Sequence, residues 1–319
     1  MFWLFTSAML SPSGAQDVAT TRQPLCSPPT PGRFKMALCQ LLVGSDKETN
    51  LLHAEASVRE AVKGGAEFVV LPECFNSPYG ANFFPEYAEE VPNDLSELQP
   101  SAHPSTSMLS RLAAELQIYL VGGSIPERDA SSGKLYNTCI AFGPDGTILA
   151  KHRKVHLFDI DVPGKITFFE SKTLAAPQPE ALSVFDTQWG RVGLGICYDI
   201  RFPEMATLMR ESGAHMLVYP GAFNTVTGPM HWDLLARARA VDTQCFVAVA
   251  SPARNPESGY QAWGHSSIVS PWGEVVATTD EAAAIVYADV DLSLVDEPRS
   301  SIPVFDQRRR DLYDLRWIG

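Results

Sequence analysis

The sequence predicts an α/β fold, with sheets flanked by helices. Three observations predict it. Short apolar runs with strand-like content recur along the chain. Stretches with apolar residues at helical spacing lie between them, and that alternation marks layered α/β folds. Two tight-turn signals, GPDG at 143–146 and PWGE at 271–274, each join strand-like runs and read as hairpins.

In chain order, the run FKMALCQLLV at 34–43 reads as a strand. Helical spacing over 50–62 stops at Gly64 and Gly65, and EFVVL at 67–71 is a short buried strand ending at Pro72. A helix over 104–116 precedes a strand over 118–122. The first hairpin joins 139–142 to 147–151. Strands follow at 184–187 and 192–197, then a helix at 203–212 ended by Gly213. A strand at 216–219, a helix at 230–241 and a strand at 246–250 repeat the alternation. The second hairpin joins 265–270 to 275–279, and 285–290 is a last strand before an irregular tail. The polar, Pro-containing stretch 94–107 reads as a surface loop. No repeat is visible, and no break after residue 33 is strong enough to split the chain, so 34–319 is expected to be one domain.

Residues 1–33 stand apart. The apolar stretch 1–10 is short and has no positive charge before it, which makes a poor secretory signal. Residues 11–32 are rich in Ser, Thr and Pro, with Asp17 the only acid, a composition that resists folding. This extension reads as a disordered tail or as an organellar targeting segment, with Arg22 and Arg33 as thin support for the second. The expected location is the cytoplasm, or a mitochondrion or plastid if the extension directs import.

The 319 residues are 45% hydrophobic and 19% charged, an ordinary globular composition. A net charge of −12 opposes a nucleic-acid partner, because such binding rests on Lys and Arg meeting phosphates. No apolar run reaches the roughly 18 residues needed to cross a bilayer. The six cysteines are scattered and form no CxxC pair, so zinc-type spacing is absent and a reducing compartment is expected. GLGICY lacks the third glycine of a dinucleotide loop, which Tyr198 replaces. No metal and no cofactor are expected.

Three segments carry candidate chemistry. In GICYDIRFPE, Cys197 follows an apolar strand and precedes a helix, where a nucleophile projects from a sheet edge and the Tyr198 N–H can bind an oxyanion. Read from position alone, it is equally a buried, inert cysteine. In LPECF, Glu73 closes an apolar strand, where desolvation raises a carboxylate's pKa and makes it a usable base; a salt-bridged strand end is the ordinary alternative. In KHRKVHL, Lys154 lies in a crowded basic run that would stabilise an oxyanion or would simply be a solvated loop. His152 and His156 are spaced like zinc ligands, but no Glu lies between them.

Together these segments resemble the nitrilase superfamily of carbon–nitrogen hydrolases, over roughly residue 34 to the tail near Tyr313. The family's Glu–Lys–Cys triad falls on PECF at Glu73, HRKVHLF at Lys154 and GICYDIRFPE at Cys197. The resemblance implies a four-layer α-β-β-α sandwich, paired into homodimers that stack helices. It implies that Cys197 attacks an amide carbonyl, that Glu73 takes its proton, and that Lys154 and the Tyr198 N–H hold the oxyanion. Glu170 in TFFESKT matches a second glutamate that orients the lysine.

The stretches PECFNSPYG, HLFDIDVPGKITF, VYPGAFNTVTGP and ASPAR are similar to the ω-amidase branch, which deamidates 2-oxoglutaramate and 2-oxosuccinamate. Such a small dicarboxylate monoamide needs a cation, for which Arg201 is the candidate, with Phe223 and Thr227 lining the pocket. Rivals within the superfamily are a deaminated-glutathione amidase and an N-carbamoyl-amine hydrolase. A binding protein that kept the fold and lost the activity is a rival of another class, as is a metallohydrolase. Cys197 is expected to be an activated thiolate that outcompetes buried thiols for an alkylating reagent. The extension before Phe34 and the loop at 94–107 depart from the family pattern.

Overall fold

The computed structural model describes residues 30–93, 95–178 and 180–318. The first half holds β1 Arg33–Gln40, α1 Lys47–Lys63, β2 Phe68–Val70, α2 Phe84–Tyr87, α3 Pro104–Leu116, β3 Tyr119–Val121, β4 Ile125–Arg128, β5 Leu135–Phe142 and β6 Ile148–Arg153. A small hairpin follows, β7 Asp159–Val162 and β8 Ile166–Phe169. The second half holds β9 Val184–Thr187, β10 Gly190–Leu194, α4 Pro203–Glu211, β11 Met216–Pro220, α5 Gly228–Thr243, β12 Phe246–Ala250, β13 Ser267–Val269, β14 Val275–Thr278, β15 Ala284–Asp291 and α6 Asp296–Ser301.

Local chemistry sets the boundaries. The Asp46 side chain accepts the Thr49 N–H at 2.7 Å and so caps α1. Ala54, Val58 and Ala61 form its buried stripe, and Gly65, at φ +91°, turns the chain out of it. Pro104 opens α3, where its missing N–H costs nothing.

The strands form two main sheets. One runs β15-β1-β2-β3-β5-β4, with β6 added on β5. Its β1, β2 and β3 are parallel, with Met36 opposite Phe68 and Phe68 opposite Tyr119. The other runs β14-β13-β12-β11-β10-β9, with β10, β11 and β12 parallel.

Strand alternation decides the layering. Met36 and Leu38 of β1 pack with Val192, Leu194, Met216 and Val218 of the second sheet. Ala37 and Cys39, one residue out of phase, pack with Ala54 and Val58 of α1 and Leu109 and Leu112 of α3. Met205 and Met209 of α4 and Ala236 and Ala240 of α5 join the core from the helices beside β10 and β12. The result is the expected α-β-β-α sandwich. Among the described residues no helix is long and apolar enough to cross a membrane.

Some expectations shift. Of the extension at 1–33, residues 1–29 lie outside the described residues, and Arg33 pairs with Asp291 as the first residue of β1. The stretch 94–107 is not all loop, since Leu95–Glu97 makes a 3-10 turn and α3 begins at Pro104. The tail after the last strand is partly ordered as α6. The strand expected over 192–197 stops at Leu194, and Cys197 opens a 3-10 turn to Arg201. No expected strand falls at β4, β7 or β8, which are four residues each.

Gly195 sits under this turn. A Cβ added there would lie 2.5 Å from the ring of buried Tyr219. Gly195→Ala is therefore expected to cost about 1–3 kcal/mol of stability by overpacking, read as a lower urea midpoint with an unchanged slope.

Candidate active site

The parallel strands of both sheets end near one another, and their carboxyl ends are where α/β folds build sites. Glu73 follows β2, Lys154 follows β6, Glu170 follows β8 and Cys197 follows β10. The structure brings all four together. Lys154 Nζ donates to Glu73 Oε1 and to Glu170 Oε1, each at 2.9 Å, and none of the three side chains is solvent-exposed.

The period of two explains how a run of basic residues yields one buried lysine. Along β6, Lys151 and Arg153 face Glu127, at 2.6 and 2.7 Å. His152 points to the other side, and so does Lys154 just beyond the strand. The run is not a solvated loop.

Each carboxylate has further donors. Glu73 Oε1 also accepts from Asn137 Nδ2 at 2.9 Å, and its Oε2 accepts the Ala222 N–H at 2.7 Å. Glu170 Oε1 accepts from the Tyr79 hydroxyl, and its Oε2 accepts the Phe158 N–H, both at 2.7 Å. Burial pushes the Glu73 carboxyl above its ordinary value, opposed by Lys154 and reinforced by Glu170. Burial works to lower the Lys154 ammonium, but Glu170 and Glu73 outweigh it and hold it well above its ordinary value. It stays charged.

Glu73 lies close enough to Cys197 to act on its thiol. Burial, with Glu73 adding to it, pushes the thiol well above 9.0. Desolvation and the neighbouring carboxylate both favour a proton on sulfur in the resting site.

The residue also adopts φ +45°, a left-handed conformation that costs a non-glycine residue about 1–3 kcal/mol. Asp199 holds that turn in place. Its Oδ2 accepts the Ile196 N–H at 2.9 Å and His152 Nε2 at 3.0 Å. Its Oδ1 accepts the His156 N–H at 3.0 Å and His156 Nδ1 at 2.7 Å. One buried carboxylate thus ties the cysteine turn to the residues two before and two after Lys154. The zinc-like histidine pair is joined through it.

As the second residue of the 3-10 turn, Tyr198 has no partner for its N–H within the turn. Its ring packs edge-on against Phe158 and Phe202. Phe223 is buried against Trp232. Thr227 precedes α5, and its hydroxyl and N–H both bond the Asn224 side chain. Tyr79, Asn137, Asp199 and the Ala222 N–H were not singled out from the sequence. Tyr79, Asp199 and Ala222 lie inside the quoted stretches PECFNSPYG, GICYDIRFPE and VYPGAFNTVTGP.

A comparison with known families matches residues 35–300 to Carbon-nitrogen hydrolase. The chain belongs to this family. Omega-amidase NIT2 of Homo sapiens is 58% identical over 280 residues, covering 88% of this chain and 96% of that protein. Omega-amidase, chloroplastic, of Arabidopsis thaliana is 54% identical over 292 residues, covering 92% of this chain and 76% of that one. Saccharomyces cerevisiae Nit3, described as a member of branch 10 of the nitrilase superfamily, superposes with a TM-score of 0.78 at 45% identity, covering 87% of this chain and 97% of that one. This carbon–nitrogen hydrolase acts on C–N bonds, with the nitrilase-superfamily fold.

The Asp199 contacts give a stability test in the hydrolase. Burial works to raise its pKa, but hydrogen bonds from His152 and His156 outweigh it and hold the carboxyl well below its ordinary 3.8. A depressed folded-state pKa contributes stability above the unfolded value and loses it as the pH falls towards the folded one. Asp199→Ala also strands buried donors at about 1–3 kcal/mol each. The stability gap between wild type and Asp199→Ala is expected to be full at neutral pH and to narrow below about pH 3.8, measured by urea unfolding across that range.

Proposed function

We propose that this hydrolase is an ω-amidase, which releases the terminal amide nitrogen of 2-oxoglutaramate or 2-oxosuccinamate as ammonia through a Cys197 thioester. The observation that carries the chemistry is one ammonium, Lys154, held 2.9 Å from each of two buried carboxylates, one of which, Glu73, neighbours the thiol. The Omega-amidase names of relatives at 54–58% identity support the substrate.

In this reading the sulfur attacks the amide carbonyl carbon as Glu73 takes the thiol proton. The carbonyl π pair moves to oxygen, and Lys154 with the Tyr198 N–H holds that charge in a low-dielectric site. Glu73 passes the proton to nitrogen, the C–N bond breaks and ammonia leaves. Glu73 then takes a proton from water, whose oxygen attacks the thioester. The C–S bond breaks, the thiol regains its proton and the dicarboxylate departs. Glu170 fixes the lysine. Arg201 seats the substrate carboxylate, Phe223 walls the pocket, and Thr227 supports that wall through Asn224.

We also propose a homodimer formed through the exposed stripe Met230, Leu234 and Val241 of α5. The chain works in the cytoplasm, or in an organelle if residues 1–33 direct import; a fluorescent fusion with and without that segment separates the two.

Ammonia release from 2-oxoglutaramate tests the function. Wild type is expected to be active and Cys197→Ala inactive. A folded Lys154→Ala protein is expected to lose about 10²–10³-fold in kcat, the cost of a missing oxyanion donor. Near-normal turnover in either variant would remove that residue from the reaction.

A further inference from the structure

Cations sunk in this molecule commonly have an anion. Arg153 has Glu127 and Asp129, Arg191 has Asp186, and Arg239 has Asp242. Arg201 has none among the described residues, although it is half-buried and lies in the same 3-10 turn as Cys197 and Tyr198. Aromatic faces take the place of an anion. Its guanidinium carbon lies 4.7 Å from the centre of the Phe223 ring and 5.5 Å from that of Tyr198.

The polar contact it does make is selective. Arg201 Nη1 donates to His231 Nδ1 at 3.2 Å, while its buried Nε has no partner. A guanidinium presents Nε and Nη2 along one edge, spaced for the two oxygens of a carboxylate. This molecule uses that edge elsewhere: Arg191 Nε and Nη2 grip Asp186 at 2.7 and 2.9 Å.

His231 suits the task of holding Arg201. It sits in the first turn of α5, its own N–H bonded to the Thr227 carbonyl at 3.0 Å. An arginine never gives up its proton, so Nδ1 must accept and the imidazole must be neutral, with its proton on Nε2. Burial, and then the Arg201 charge, hold His231 below its ordinary 6.5.

We propose that His231 is a positioning residue for substrate binding, which takes up Nη1 of Arg201 and leaves the Nε–Nη2 edge as a two-pronged seat for the substrate's carboxylate. This rests on the ω-amidase reading, which supplies the carboxylate. His231 touches no reacting atom; it fixes the rotamer of a long, flexible side chain before the substrate arrives.

Steady-state ammonia release from 2-oxoglutaramate tests it in wild type, Arg201→Met, His231→Ala, His231→Gln and His231→Asn, with folding checked by urea midpoint. An Asn side chain offers oxygen near the place of Nδ1; a Gln oxygen falls near Nε2 instead. His231→Ala and His231→Gln are expected to raise KM roughly tenfold, the scale of a hydrogen bond to a charged group, with kcat nearly held, and His231→Asn to restore KM. A purely structural histidine would move kcat with KM, or would leave Asn no better than Gln, and either result overturns the proposal. A raised KM in Arg201→Met beside an unchanged KM in the folded His231 variants overturns it while sparing the carboxylate seat. An unchanged KM in Arg201→Met removes the seat itself, and no ammonia from wild type removes the substrate.

Discussion

The rest of the site depends on a lysine ammonium buried between two glutamates. Taking three charges out of water costs several kcal/mol each unless every lone pair and proton finds a partner. The surrounding chain supplies those partners from four separate segments: Asn137 and the Ala222 N–H on Glu73, Tyr79 and the Phe158 N–H on Glu170. The loops after β2, β6, β8 and β11 are therefore fixed by one electrostatic requirement. The β7–β8 hairpin, which lies outside both main sheets, is anchored the same way, because Phe158 and Glu170 flank it and bond each other. The low dielectric that makes the cluster costly to assemble also makes its ammonium effective against a developing oxyanion.

A third carboxylate joins this cluster to Cys197. Asp199 accepts from the Ile196 N–H at the head of the cysteine turn and from both histidines that flank Lys154. The strained φ of Cys197 is held by contacts to the strand that carries the lysine. Glycine completes the arrangement at one place: a Cβ on Gly221 would stand 3.1 Å from Cys197 Cα, so a bare backbone lets the turn settle on the end of β11.

The layered fold was legible because apolar periodicity is local, and β1, β2, β11 and β12 lie where that periodicity places them. Three motif segments pointed to Glu73, Lys154 and Cys197, and the resemblance added Glu170. What stayed hidden is long-range. Glu73 and Lys154 are 81 positions apart, and Glu73 and the Ala222 N–H are 149 apart; no spacing rule reaches that far. The surroundings of the thiol stayed hidden for the same reason. Its environment, not its motif, sets its pKa, and that environment is a dry pocket with a carboxylate beside the sulfur. Arg201 was visible as a cation, but its lack of a carboxylate partner among the described residues appears only once the neighbouring elements are in place.

In the proposed ω-amidase reading, charge distribution sets the orientation of a substrate that carries an amide at one end and a carboxylate at the other. With both glutamates ionised, the Lys154 cluster is net negative, so it repels a carboxylate while its ammonium remains open to a neutral carbonyl oxygen. Arg201 is the reverse: an uncompensated cation among aromatic faces, which attracts the carboxylate and offers nothing to an amide that water does not. The two sites cannot exchange roles without placing like charges together, and wrong-way binding pays that penalty at both ends. In the proposed reading, recognition and chemistry thus use separate cations, one left without a carboxylate among the described residues so that it can bind and one doubly paired so that it stays charged when buried.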